Sequence, residues 1–111
     1  MARFVAGEIV VVPFPFSDLS LAKRRPALVV KPLFGNDAIL CRITSRSRND
    51  RNAIPLSAGD FSSGRLRHPS HIRPDRLFTC DGAIVLYSVG LVSSGKHREV
   101  VRAIIELLST P

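Results

Sequence analysis

The chain has 111 residues, 45% of them hydrophobic, and sets 16 Lys+Arg against 9 Asp+Glu for a formal net charge of +7. That length supports a single domain over residues 1–111 with one core, and the hydrophobic content without any low-complexity tract excludes a disordered chain. The cationic excess points to polyanionic partners, nucleic acid first.

Gly7-Glu8 opens Ile9-Val10-Val11-Val12, apolar on both faces and so predicted as a central strand. Pro13-Phe14-Pro15-Phe16 ends it. The run Ile9–Phe16 is too short for a membrane span and too broken by prolines for a signal-peptide core. No membrane partner and a cytoplasmic location are expected. Ser17–Arg24 is a polar loop long enough to cover a site. Lys23, Arg24 and Arg25 then run into Pro26, which denies Arg25 the helical region and starts a second, buried strand over Arg25–Lys31. Arg25 stands at the mouth of that rigid element. There its guanidinium either grips a phosphate or forms part of a solvated turn. Gly35-Asn36 signals a hairpin. In the third strand, Asp37–Thr44, alternation sends Ile39, Cys41 and Ile43 to the core and Leu40, Arg42 and Thr44 outward.

Ser45–Asn52 is a basic loop containing Arg46, Arg48 and Arg51. Ala53-Ile54-Pro55-Leu56 is a short strand that Pro55 confines to an edge. Ser57–Leu66, with Gly59 and Gly64, reads as an irregular excursion with at most one helical turn. Prolines 69 and 74 favour an extended piece in which His71 and Arg73 project together, roughly 7 Å apart, opposite Ile72. Asp75–Cys80 continues as strand or turn, Asp81-Gly82 turns, and Ile84–Val92 is a last strand with a bulge suggested at Gly90. The final segment is a helix capped by Ser93 or Ser94. Its buried stripe is predicted as Val100, Val101, Ile104, Ile105 and Leu108, with Arg98, Glu99, Arg102 and Glu106 in water. Six or seven short strands and one C-terminal helix predict a mainly β (α+β) fold: a small twisted β-barrel or half-barrel capped by a helix.

No Walker-type glycine loop, GxSxG, HExxH or helical carboxylate pair occurs. Cys41 and Cys80 belong to no CxxC or Cys/His ligand spacing and read as buried reduced thiols, so neither metal nor other cofactor is indicated. Three basic stretches, 23–31, 42–51 and 65–76, flank strand-like runs and can converge on one surface. What remains for chemistry is Arg25, Arg42, Thr44, Ser45, Ser70, Arg73 and the imidazoles of His68 and His71. Arg73 either binds phosphate or pairs with Asp75 or Glu8. His71 either moves protons near neutral pH, stacks on a base or faces solvent; His68 is the weaker candidate. Phe14, Phe16 and Phe61 either stack on bases or fill the core, with core favoured for Phe14.

Gly7–Phe16, Arg25-Pro26-Ala27-Leu28-Val29-Val30, Ile43-Thr44-Ser45, and Ile72-Arg73 followed by Leu77 resemble, in order and spacing, the landmarks of MazF/PemK-type toxins of type II toxin–antitoxin systems. The resemblance runs from Gly7 to about Leu108. It implies an SH3-like barrel of the kind shared with CcdB, a homodimer, and a metal-independent endoribonuclease acting on single-stranded RNA such as mRNA. The RNA 2′-hydroxyl attacks its own phosphodiester in such toxins, and a cognate antitoxin blocks them. The family's catalytic arginine falls on Arg25 and its threonine on Thr44, with His71 added as a proton-transfer candidate. Lys23, Arg24, Arg42, Ser45, Arg46, Ser70 and Arg73 are the RNA-binding candidates. Glu8 replaces a commoner Asp, and Ser70-His71 stand where some members carry an acidic residue.

Arginine, with a pKa above ~12, is a poor ground-state base. Its role is to stabilise the phosphorane's extra negative charge. Thr44 can donate to a non-bridging phosphate oxygen. Two other readings compete: a non-catalytic CcdB-like toxin that poisons a protein such as gyrase, and a plain nucleic-acid-binding module.

Overall fold

A computed structural model describes residues 4–14, 23–45 and 51–111. Seven strands form one antiparallel sheet: β1 (Glu8–Phe14), β2 (Lys23–Pro32), β3 (Asp37–Thr44), β4 (Ile54–Leu56), β5 (Phe61–Gly64), β6 (Ser70–Asp81) and β7 (Tyr87–Val92). Their spatial order is β4-β6-β3-β2-β1-β7-β5. The α-helix among the described residues, α1 (Ser94–Ser109), packs chiefly on β6 and β2. The result is a mainly β curled half-barrel with a C-terminal helix, as the sequence pattern implies.

Curling follows from strand twist reinforced by bulges. The β1–β7 register skips Val89, β2–β3 skips Val30, and β3–β6 jumps from Cys41↔Leu77 to Arg42↔Arg73, leaving Pro74, Asp75 and Arg76 as a three-residue excursion. A bulged residue loses its ladder partner, and the fold compensates. The Val30 carbonyl accepts a hydrogen bond from His97 Nε2 at 2.9 Å, which fixes the proton on that nitrogen and ties α1 to β2.

The sheet is packed on both faces. On the helix side Ile9, Leu28, Cys41, Ile43, Ile72, Val100 and Ile104 are buried together. On the other, Val10, Val12, Ala27, Val29, Leu40 and Cys80 form a second cluster covered by Phe4, Phe78 and Val85. Leu40 therefore corrects the expected outward position: it is fully buried, because the opposite face carries an apolar patch of its own. The buried helix residues are Val100 and Ile104, while Ile105 and Leu108 stay 58% and 73% exposed. The expected stripe was drawn too wide, and Ala103 packs against the core instead.

Ser57–Leu66 carries the expected helical turn, a 3-10 turn at Ala58–Asp60, but departs from expectation in then forming β5, an edge strand on β7. Gly64 has φ +72°, and a Cβ there would stand 2.1 Å from the Val89 carbonyl oxygen; at Gly90 one would stand 2.7 Å from that of Ser63. Two glycines let these backbones approach where side chains could not. The last strand starts at Tyr87, not Ile84, because Asp81 accepts from the Ala83 amide and caps a second 3-10 turn over Gly82–Ile84. Ser93 caps α1, accepting from the Lys96 amide. Lys96 Nζ donates to the Pro55 carbonyl and pairs with Glu99 and Asp60, which fastens the helix start to β4 and the first 3-10 turn.

Candidate active site

Beyond the second apolar cluster, the same face of the sheet turns basic. Ala27 lies opposite Arg42, and Arg42 opposite Arg73. Two residues further along β2 and β3, on that face, stand Arg25 and Thr44. The strand that begins with cations and the strand that ends with a hydroxyl thus deliver both side chains to one cleft. It measures about 530 Å³, the size of an ordinary ligand site. Arg25, Arg42, Thr44, Ser45, Ser70 and Arg73 all line it. Three further groups complete the wall: Arg67 and His68 from the segment before β6, and Arg76 from the β6 excursion. Among the described residues no carboxylate lines it.

Aromatic contacts back the Arg42 side chain. The Arg42 guanidinium lies 4.5 Å from the centroid of the Phe14 ring, and Phe14 packs on Phe78 with centroids 5.7 Å apart. Phe14 thus supports a cation on one side and the second apolar cluster on the other. Phe61 packs against the helix-side core. Partial burial lowers the Arg42 pKa below the usual 12.5, and the cations of Arg76, Arg25 and Arg73 push the same way. Arg73 meets Asp75 at 3.6 Å, the pairing the sequence set against phosphate binding. Glu8, the other acid considered for it, accepts from the Val5 amide instead. A guanidinium cluster whose positive charge is so little offset is a receptor for an anion.

His71 pairs with Thr44 across β3 and β6 and projects away from buried Ile72, as the alternation requires. Its ring nevertheless does not line the cleft, and its Nδ1 is buried without a hydrogen-bond partner among the described residues. Lys23 and Arg24 are exposed at the start of β2 and are not among the lining residues. Arg46, Phe16 and the first part of the Ser17–Arg24 loop lie outside the described residues. Sequence reasoning left Arg67 and Arg76 out of the candidate site and named His68 only as the weaker imidazole. The density of cations in residues 65–76 was the signal for the two arginines. The fold is what places His68 in the cleft wall.

A sequence profile of PemK-like, MazF-like toxins of type II toxin–antitoxin systems matches residues 6–108. No curated protein matches the chain significantly. Among solved structures, MazF from Deinococcus radiodurans is similar at TM-score 0.77 and 22% identity, over 99% of this chain and 100% of that one. A MazE–MazF structure from the same organism is similar at TM-score 0.78 and 21% identity, over 99% and 100%. An endoribonuclease in complex with its cognate antitoxin, from a mycobacterial species, gives TM-score 0.76 and 14% identity over 98% of both chains. At such identities these likenesses speak for the fold.

Proposed function

The chain belongs to the PemK-like, MazF-like toxins of type II toxin–antitoxin systems, and on that premise we propose that it is an endoribonuclease that cleaves single-stranded RNA in this cleft. The observation that carries the proposal is the convergence of Arg25 and Thr44 on a wall shared with Arg42, Arg73 and Arg76. In such a site the RNA 2′-oxygen forms a bond to phosphorus as the P–O5′ bond breaks, leaving a cyclic phosphate and a 5′-hydroxyl. Arg25 stabilises the charge that builds on the phosphorane, and Thr44 donates to a non-bridging oxygen. Arg42, Arg73 and Ser45 hold the flanking backbone. Lys23 and Arg24 extend the basic track at the start of β2, Arg46 is a further RNA-binding candidate outside the described residues, and Ser70 acts from the cleft wall. Guanidinium charge does the work a divalent cation does elsewhere.

The test is cleavage of a single-stranded RNA in EDTA. The expected products carry cyclic phosphate ends, and a 2′-deoxy nucleotide at the scissile position abolishes the cut. R25A and T44A each lose on the order of 10²-fold or more in kcat while circular dichroism stays native. A requirement for added metal would overturn this mechanism. Growth arrest with intact RNA and damaged DNA would instead favour a toxin that poisons a protein target.

Two partners follow from the same reading. A cognate antitoxin with an acidic segment matches the cleft in charge, and MazE–MazF assemblies exist among the similar structures. A second copy of this chain matches the apolar Ile105 and Leu108 left exposed on α1. Among the described residues no helix is long and apolar enough to cross a membrane. The mRNA substrate places the toxin's action in the cytoplasm.

A further inference from the structure

Moving the 2′-oxygen onto phosphorus requires a group that takes its proton, and among the described residues the cleft wall is poor in such groups. Its five arginines carry guanidinium groups, which donate hydrogen bonds and have no acceptor. Thr44, Ser45 and Ser70 carry hydroxyls too weakly acidic to cycle protons at neutral pH, and Pro26, Ile43 and Leu66 offer no titrating atom. The twelfth lining residue is His68, and imidazole is the side chain that exchanges protons between pH 5 and 8.

Its position is built rather than incidental. Pro69 disfavours the helical region for His68, which sits at a bend just before β6. Ser70, only 5% exposed, donates from Oγ to the His68 carbonyl at 2.9 Å. The backbone of an exposed residue is thereby pinned to a buried one. The imidazole itself makes no hydrogen bond to the described residues, so a ring nitrogen is available to substrate. The charged groups around it are Arg25 from β2, Arg42 from β3, Arg73 and Arg76 from β6, and Arg67 on its own segment, with Asp75 engaged by Arg73.

We propose that His68 is the general base of this cleft and that Ser70 is its positioning residue. This rests on the ribonuclease reading above. The imidazole accepts the proton of the 2′-hydroxyl while the 2′-oxygen bonds to phosphorus. The P–O5′ bond breaks, and the departing 5′-oxygen takes a proton from water. Imidazolium then returns its proton to solvent.

The experiment is the pH dependence of kcat/KM on a short single-stranded RNA in EDTA for the wild type, H68Q, H68A, S70A and H71Q. In the wild type a limb of unit slope falls toward acid. H68Q loses about 10²-fold at neutral pH, mostly in kcat, and the acid limb disappears. Imidazole added to H68A restores cleavage in proportion to its unprotonated form. S70A lowers kcat but keeps the limb, because the base is misplaced and not removed. H71Q keeps the limb as well. An H68Q enzyme that retains the limb, H68A that imidazole does not rescue, or an H71Q enzyme that loses the limb overturns the assignment while wild-type cleavage leaves the ribonuclease reading standing. A wild type that cuts no RNA under these conditions removes both.

Discussion

At the scale of single residues, the Arg73–Asp75 contact is the point where the cleft restrains its own charge. At 3.6 Å and with both side chains partly exposed, it contributes little to stability but competes with phosphate for Arg73. D75N is therefore expected to tighten binding of a non-cleavable 2′-deoxy strand several-fold at low salt. It should also steepen the slope of log K against log salt by about 0.7, one additional phosphate contact on a single strand. Fluorescence anisotropy across a salt series reads both; an unchanged slope would mean Arg73 already faces the RNA. Cys41 offers a second test. Burial pushes its thiol from 9.0 up to about 12, opposed by the Arg73 backbone hydrogen bond and reinforced by Asp75. Its folded pKa exceeds the unfolded one, so between pH 9 and about 12 the unfolded chain binds fewer protons and stability falls as pH rises. In C41A that fall should be shallower than in the wild type, by up to about 1.4 kcal/mol per pH unit, measured by urea unfolding at pH 8, 9 and 10. The candidate site was partly legible at this scale. Arg25, Arg42 and Thr44 sit on strands whose alternation or proline boundary announces where they point. His68 lies between strands, where no periodicity assigns a direction.

At the scale of elements, compensation of bulges explains both what is rigid and what the sequence concealed. Removing the His97 side chain leaves the Val30 carbonyl buried against α1 without its donor, a loss of about 1–3 kcal/mol. H97A should lower the urea midpoint accordingly, and a midpoint within error of the wild type would show that water replaces the ring. Asp37–Thr44 was legible to the residue because both its ends carry turn signals. Phe61–Gly64 was not, since a Phe-Ser-Ser-Gly segment has neither alternation nor β-branched residues and becomes a strand only because β7 offers it an edge. Long β6 was hidden for another reason. Ile72 and Phe78 are separated by an even number of residues, the spacing of one face on an uninterrupted strand. They serve different cores.

At the scale of the molecule, a chain of 12.2 kDa supports two small cores on opposite faces of one sheet and still leaves Ile105 and Leu108 in water. Sedimentation equilibrium is expected to return twice the chain mass, and I105D/L108D to return the monomer with secondary structure intact. A wild type that sediments as a monomer at micromolar concentration would remove the homodimer from the reading. The half-barrel class was legible from six or seven short segments and one amphipathic helix, whereas the strand order β4-β6-β3-β2-β1-β7-β5 comes from the fold. The second core was legible only in part: β1 reads as apolar on both faces and β2 as buried, but Leu40 on the outward face of β3 is by itself ordinary, and the fold gathers it with Val10, Val12, Ala27, Val29, Ala38 and Cys80.

The excursion at Pro74–Arg76 acts on this chain as a frameshift acts on a message. Upstream of it, β6 addresses Ile72 to the helix-side core and Arg73 to the cleft; downstream, the addresses are exchanged, and Phe78 goes to the far side. Register within each half is fixed by β3, so a change in the length of the excursion alters how far Arg76 reaches over the cleft and leaves both halves in place. An added residue anywhere else in β6 would misdeliver every side chain after it. The excursion that carries Arg76 to the cleft wall is thus where the reach of that wall is open to evolutionary adjustment.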